Sequence, residues 1–136
     1  MSVLTDEMRR MVEDQHLGFV ATVNLDGGPN LAPKGTTRVW DRDHIIFADL
    51  GAPDTVAGLR KNPGMEICVL DPAARAGWRF RGRAIVLSEG ALFQHIRSSY
   101  RQGDGAPAFP HIVLMTVEEA LPLASPTRPR PSSPET

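Results

Sequence analysis

The sequence has very little cysteine and few lysines. Cys68 is the only cysteine among the 136 residues, and Lys34 and Lys61 are the only lysines. One thiol cannot form a disulfide within a single chain, and it cannot build a cysteine-based metal site. The four histidines are scattered without the close pairs typical of zinc sites, so we expect no metal site on one chain. The fold should therefore depend on an apolar core, as suits a reducing cytoplasm.

Long apolar runs are also absent. The first ten residues, "MSVLTDEMRR", contain acids and do not resemble a signal peptide, and no later run is long enough to cross a membrane. The net charge of −1 gives no reason to expect bulk binding to nucleic acid. We therefore expect a cytoplasmic protein with no membrane and no nucleic-acid partner.

The familiar catalytic and nucleotide-binding motifs are missing as well. There is no Gly-x-Gly-x-x-Gly stretch, no Walker loop and no Gly-x-Ser-x-Gly elbow. These absences argue against a Rossmann dinucleotide site, a P-loop and an elbow-type serine hydrolase. If the protein is an enzyme, we expect a cofactor to supply the reactive chemistry while the protein binds and orients it.

What is present is a series of short strands. Residues 17–24 alternate, which predicts a strand with one strongly apolar face formed by Leu17, Phe19, Ala21 and Val23. A turn at residues 26–28 leads to a second strand, and residues 44–50 return as a third, which predicts a three-stranded meander. Further strands are predicted at residues 65–70, 78–87 and 111–117. Helices are predicted at residues 6–14, around residues 54–61, and after a cap at Ser88. The fold class is therefore mainly β, a small antiparallel barrel of about six strands with flanking helices.

The composition predicts a single domain with a polar tail. The 41% hydrophobic and 23% charged residues are ordinary for a globular protein of this length. Residues 125–136, "SPTRPRPSSPET", are rich in proline and serine and contain no other apolar side chain. We expect residues 1–124 to form the domain, and residues 125–136 to be disordered or to lie on a partner subunit.

Residues 29–50 contain the first candidate binding residues. Lys34, Thr36 and Arg38 occupy every second position of the second predicted strand, so they should share one face. A lysine, a hydroxyl and an arginine together suit an anion such as a phosphate, and Gly35 would let a ligand approach the backbone. The alternative is a solvated polar face on an edge strand.

A second basic stripe occurs in the strand at residues 78–87. Arg79, Arg81 and Arg83 alternate with apolar residues. They predict either a site for a phosphate or an acidic substrate, or simply solvated charge on an exposed strand.

The order of three segments resembles a known family. They are "LGFVATVNLDGGPNLAPKGTTRVWDRDHIIFADL", "PDTVAGLRKNPGMEICVLDP" and "GWRFRGRAIVLSEG". Together they resemble the short single-domain branch of the pyridoxamine 5'-phosphate oxidase-like FMN-binding split-barrel family, over roughly residues 17–123. The resemblance implies a six-stranded antiparallel split β-barrel and a homodimer with FMN at the subunit interface. Carried over by position, it nominates as cofactor-binding residues Lys34, Gly35, Thr36, Arg38, Ala48, Asp49 and Thr55, and more weakly Arg79 and Arg81.

The resemblance has one notable departure. Where pyridoxamine phosphate oxidases have an Arg-Lys pair, this chain has Ala52-Pro53-Asp54, and it lacks their long C-terminal extension. Oxidation of pyridoxamine phosphate itself is therefore not expected. The predicted function is an FMN-binding oxidoreductase in which the flavin carries the redox chemistry, with an unassigned small-molecule substrate or NAD(P)H as donor. The alternatives are a reductase that uses a deazaflavin coenzyme through the Arg79, Arg81 and Arg83 stripe, and a non-catalytic stress-response module that holds flavin or haem.

Overall fold

The fold was obtained as a computed structural model, which describes residues 2–49, 53–100 and 109–123. These residues form three helices and seven strands. The helices are α1 (Asp6–Gln15), α2 (Pro53–Lys61) and α3 (Ala91–Ser99). The strands are β1 (Gly18–Val23), β2 (Pro29–Lys34), β3 (Arg38–Asp41), β4 (His44–Asp49), β5 (Gly64–Asp71), β6 (Ala76–Leu87) and β7 (His111–Leu123).

The strands form one antiparallel sheet in the order β2-β1-β5-β6-β7-β4-β3. The predicted mainly β class, antiparallel pairing and split barrel are confirmed. The strand count is seven and not six, because the segment predicted as one strand from Pro29 onwards ends at Lys34 and resumes at Arg38 as a second strand. β2 and β3, consecutive in the chain, are the two edges of the sheet, and the split lies between them.

This strand order overturns the predicted three-stranded meander. β2 pairs only with β1 among the described strands, whereas β4 pairs with β3 and β7. The short turn after Asp41 joins β3 and β4 into a hairpin of their own, with Asp41 paired to His44. Two local hairpins therefore replace one meander, and they lie at opposite edges of the sheet.

The core lies inside the curled sheet, and α1 packs against it. Val20, Ile67, Phe80, Phe47 and Met115 are fully buried there. α1 begins as predicted, since the Thr5 hydroxyl accepts from the amide of Met8 at 3.2 Å, and its buried Met8 and Val12 join the same core. A second apolar cluster forms where α3 contributes Phe93 and Ile96 against Ile46, Ile112 and Leu114.

The strongly apolar face predicted for β1 is the outer face of the strand. Gly18, Val20 and Thr22 point inward, while Phe19 is 36% exposed. The sheet packs tightly at this point, because a Cβ on Gly18 would lie 2.7 Å from Oγ1 of Thr37. The alternation along β1 was predicted correctly, but the larger apolar side chains lie on the outer surface.

The ends of α3 and β7 also differ from prediction. α3 begins after Gly90, whose φ of 100° favours glycine, and not after Ser88, and Leu92 on its first turn is 43% exposed. β7 continues to Leu123, beyond the predicted end at residue 117. The predicted polar tail at residues 125–136 lies outside the described residues.

None of the described helices has the length and apolar character required to cross a bilayer, and the described part of the chain contains no group of three potential metal-binding side chains.

Candidate functional site

The split between β2 and β3 is bridged by the turn that joins them. The Thr36 hydroxyl donates to the carbonyl oxygen of Ala48 and accepts from the amide of the same residue, both at 2.9 Å. The Thr37 hydroxyl donates to the carbonyl oxygen of Lys34 at 2.7 Å. Side-chain hydroxyls therefore satisfy backbone groups of the turn and of β4, as threonines commonly do in turns.

This turn corrects the prediction that Lys34, Thr36 and Arg38 share one face of one strand. Lys34 is the last residue of β2, Thr36 lies in the turn, and Arg38 is the first residue of β3. The residue types do alternate, but alternate residues share one face only where the backbone stays extended.

Lys34 and Asp49 form a buried ion pair across the split. Nζ of Lys34 donates to Oδ1 of Asp49 at 3.1 Å, and the two side chains are only 9% and 3% exposed. The ammonium also lies 5.6 Å from the centre of the Phe47 ring. We call the group formed by Lys34, Thr36, Ala48 and Asp49 the seam. Because a buried charge without its partner is costly, each ion of the pair holds the other in place.

His111, one of the four scattered histidines, lies beside the seam. It is the first residue of β7 and is paired in register with Asp49 of β4. Its Nδ1 is buried and makes no hydrogen bond to any described residue, and it lies 3.8 Å from Oδ2 of Asp49. That distance is longer than a hydrogen bond. No local sequence signal could have found this neighbour, because the contact depends on which strands pair and in what register.

Arg38 and Tyr100 connect the turn to the end of α3. Arg38 donates from Nη1 to the carbonyl oxygen of Ser99 at 3.0 Å, and its guanidinium lies 5.3 Å from the centre of the Tyr100 ring. The Tyr100 hydroxyl donates to the carbonyl oxygen of Thr36 at 2.6 Å. Burial raises the pKa of Tyr100 well above its ordinary value, so the phenol remains a neutral donor. Arg38 therefore braces the turn from outside the seam.

Thr55 belongs to a different hydrogen-bonded group. It lies in the first turn of α2, and its buried hydroxyl accepts from Nδ2 of Asn30 at 3.0 Å. Asn30 also donates to the hydroxyl of Thr22 at 3.2 Å. The structure thus brings together Lys34, Gly35, Thr36, Ala48 and Asp49, with Arg38 adjacent, while Thr55 ties α2 to β1 and β2.

The second basic stripe lies on the outer face of the sheet, away from the seam. Arg79 and Arg81 both bind Glu66, with Nε to carboxylate oxygen distances of 2.5 and 2.7 Å. The hydrogen bond from Arg79, reinforced by Arg81, holds the pKa of Glu66 below its ordinary value of 4.5. Arg83 is exposed and forms no ion pair with another described residue. Nearby Cys68 is not an activated thiol, because burial raises its pKa.

The outer face continues from these charges into an apolar area. Residues paired across antiparallel strands project to the same side, and Glu66 pairs with Ala21, which pairs with Leu31. Leu31 is 69% exposed, and Phe19 lies in the neighbouring row beside Pro33. We call the area formed by Phe19, Ala21, Leu31 and Pro33 the apolar outer face. It presents large apolar side chains to solvent, among them Phe19 of the apolar face predicted for β1.

Comparison with known proteins identifies the family of this split barrel. A family model described as pyridoxamine 5'-phosphate oxidase matches residues 4–122. The chain belongs to the pyridoxamine 5'-phosphate oxidase family, as its three sequence segments indicated. The comparison with curated proteins found no match.

Solved structures share this fold over most of their length. HupZ of Group A Streptococcus is 30% identical, with a TM-score of 0.79, and the match covers 88% of this chain and 94% of HupZ. An FMN-binding protein of Syntrophomonas wolfei subsp. wolfei is 20% identical, with a TM-score of 0.72 and coverage of 88% and 85%. An F420 reductase is 19% identical, with a TM-score of 0.67 and coverage of 87% and 98%. The latter two likenesses concern the fold alone.

Proposed function

We propose that this protein is a cytoplasmic, homodimeric, FMN-dependent oxidoreductase with an unassigned small-molecule substrate. Family membership supports the class of cofactor, since the family resemblance implies FMN and a structural neighbour is an FMN-binding protein. The observation that carries the proposal is the position of Lys34, a buried lysine at the end of β2 beside an exposed glycine.

The residues at the seam fit the phosphate of FMN. Lys34 supplies a positive charge, and Gly35 leaves space for the phosphate, because a Cβ on Gly35 would meet no atom within 4 Å. The Thr36 hydroxyl already donates and accepts within the seam, so we assign it to shaping the turn. Asp49 shares Lys34 with any incoming anion, so binding has to weaken the ion pair. FMN, when bound, would supply the redox chemistry, and the chain would anchor and orient it.

The apolar outer face supports dimerisation. Leu31 and its neighbours form a cluster of apolar side chains on one side of the sheet, and such exposed clusters commonly mark interaction sites. A second copy of the chain, related by a two-fold axis, would cover the same face on both subunits. Leu31→Glu should therefore shift a dimer to a monomer in light scattering after size exclusion. Exposed Leu92, on α3, offers a matched control, and Leu92→Glu should leave the dimer intact.

The test of the function is a titration with FMN. We expect the wild-type protein to bind FMN, as followed by calorimetry and by quenching of flavin fluorescence. The double variant Lys34→Met/Asp49→Asn removes both charges of the pair and should bind FMN about 10 to 150 times more weakly, which corresponds to a charged hydrogen bond of roughly 1.5–3 kcal/mol. Arg83→Ala, on the other basic stripe, should bind FMN as the wild type does. A colourless protein that does not bind added FMN would refute the proposal.

Turnover is a separate measurement. Mixing the FMN-loaded protein with NADH or NADPH without oxygen should bleach the flavin, and air should restore its colour. A flavin that stays oxidised with either donor and with added small-molecule reductants would favour the non-catalytic binding module.

The second candidate function is a reductase that uses a deazaflavin coenzyme. Exposed Arg83 favours it, because this cation has no ion-pair partner among the described residues and is therefore available to an anionic tail. Arg83 lines an open groove of 470 Å³ with Arg81, although Glu66, Glu118 and Glu119 line it too and would repel anions. A competition titration separates the two cofactors. Tighter binding of the deazaflavin coenzyme, lost in Arg83→Ala, would favour this alternative over FMN.

A further inference from the structure

The two carboxylate oxygens of Asp49 face two different bases. Oδ1 accepts from the Lys34 ammonium at 3.1 Å, while Oδ2 faces Nδ1 of His111 at 3.8 Å. Asp49 and Lys34 are both buried. Nδ1 of His111 is shielded from solvent without a hydrogen bond to any residue that the structure describes. While Lys34 is paired with Asp49, the ammonium neutralises the carboxylate, and His111 makes no hydrogen bond to it.

An anion that engages Lys34 disturbs this arrangement. The ammonium would have to share its donors between the phosphate and Asp49, so the buried carboxylate would lose part of its compensation. Weakening the ion pair of a buried carboxylate is costly. His111 is the neighbouring group that can respond, because a protonated imidazole donates from both nitrogens and Nδ1 is less than 1 Å beyond hydrogen-bond distance from Oδ2.

We propose that His111 is a positioning residue for the cofactor phosphate: when Lys34 engages the phosphate, His111 takes up a proton from solvent and binds Asp49 in place of Lys34. The inference rests on the proposed binding of FMN at Lys34. It makes binding of FMN an event that consumes up to one proton, so the apparent affinity for FMN decreases as the pH rises.

Within residues 2–49, 53–100 and 109–123, the ion pairs near His111 involve Asp49 and Lys34. β4 presents Asp49, and Lys34 of β2 lies behind that carboxylate. The Tyr100 phenol, at the end of α3, stays neutral because burial raises its pKa. On β6, Leu87 is apolar and pairs with Ile112, the residue that follows His111.

Calorimetry in two buffers measures the proton directly. FMN is titrated into the wild-type protein at pH 7.5 in two buffers with different ionisation enthalpies, at a pH where the FMN phosphate is mostly a dianion. We expect uptake that approaches one proton per FMN, because Nδ1 of His111 has to carry a hydrogen to donate to Oδ2 of Asp49. His111→Gln should show almost no uptake. The matched control is His44→Gln, at the other end of β4, where His44 forms its own pair with Asp41 at 2.6 Å, and it should keep the wild-type uptake.

Two further measurements keep the inference testable if His111→Gln folds poorly. Between pH 7.5 and 8.5 the dissociation constant of the wild type for FMN should rise by up to about tenfold, as expected for one linked proton. The ring nitrogen shifts of His111 in the wild-type protein should change from a neutral to a doubly protonated imidazole when FMN is added. Binding of FMN without proton uptake, or equal uptake by a folded His111→Gln variant, would overturn this inference and leave the proposed function standing. A wild-type protein that does not bind FMN would overturn both.

Discussion

Replacing Lys34 by methionine tests the energetics of the seam. Methionine keeps most of the length of the lysine side chain and its packing beside Phe47, but it removes the ammonium that pairs with Asp49. Breaking a buried ion pair from one side typically costs about 3–5 kcal/mol, because the other charge stays behind in a place of low polarity. The 3% exposure of the Asp49 side chain puts this site among the well-buried cases. For a domain of this size, the loss corresponds to a decrease in melting temperature of roughly 10–20 °C.

The assay is urea unfolding followed by circular dichroism at pH 8, supported by thermal melts. A double-mutant cycle separates the ion pair from packing, with Lys34→Met, Asp49→Asn and the double variant. The double variant should recover most of the lost stability, because it leaves no buried charge unpaired. A Lys34→Met variant within about 1 kcal/mol of the wild type at pH 8, or a double variant as unstable as the single one, would refute this account of the seam.

Two further predictions concern the outer face and the sheet. Glu66→Gln should cost at most about 1 kcal/mol at pH 7, because the ion pairs of Glu66 are partly exposed. The pKa of Glu66 is depressed in the folded protein, so its contribution is present above the ordinary value of 4.5 and is lost as the pH falls through the folded value. Urea unfolding between pH 2.5 and 7 should therefore show a shallower loss of stability on acidification in Glu66→Gln, whereas an unchanged slope would contradict the pairing. Gly82→Ala should destabilise the fold by several kcal/mol or prevent folding, because its Cβ would clash with the carbonyl oxygen of Thr116. Gly35→Ala, whose Cβ meets open space, is the matched control and should change the melting temperature by only a few degrees, so equal losses in the two variants would contradict the packing described for β6 and β7.

The sequence predicted the local elements well and the long-range arrangement less well. The start of α1 was predictable because Thr5 and the two acids after it form a local capping signal. The hairpin turn at Gly27 was also predictable from a local signal. Gly27 has a φ of 89°, which glycine adopts readily without a contact elsewhere in the chain. Such signals act over a few residues, and the backbone responds to them wherever the segment lies.

The split was not predictable from the same kind of signal. Residues 34–38 satisfy an alternating pattern, but whether they continue one strand or turn between two depends on Ala48, which offers the backbone groups that Thr36 binds. Likewise, β1 has apolar residues on both faces, and the inner face is the one on which Gly18 packs closely against Thr37. The Asp49 and His111 neighbours are set by strand register, which no local pattern encodes.

For the cofactor residues too, the sequence predicted which residues to consider but not all of their contacts. The family resemblance nominated Lys34, Gly35, Asp49 and Ala48, and the structure brings them together at the split. Their contact with FMN stays a prediction. The same resemblance could not indicate that Lys34 is already engaged by Asp49, which follows from three-dimensional proximity alone.

The length of the connection between β2 and β3 limits how far the barrel can open. Only residues 35–37 lie between Lys34 and Arg38. A fully extended chain advances about 3.3–3.6 Å per residue, so the Cα atoms of Lys34 and Arg38 can never be more than roughly 14 Å apart. Even with the ion pair broken, the two edges of the sheet therefore remain tethered at this end, and the split can widen only by pivoting about the turn. Inserting glycines after Gly35 would lengthen this tether without touching any charge of the seam.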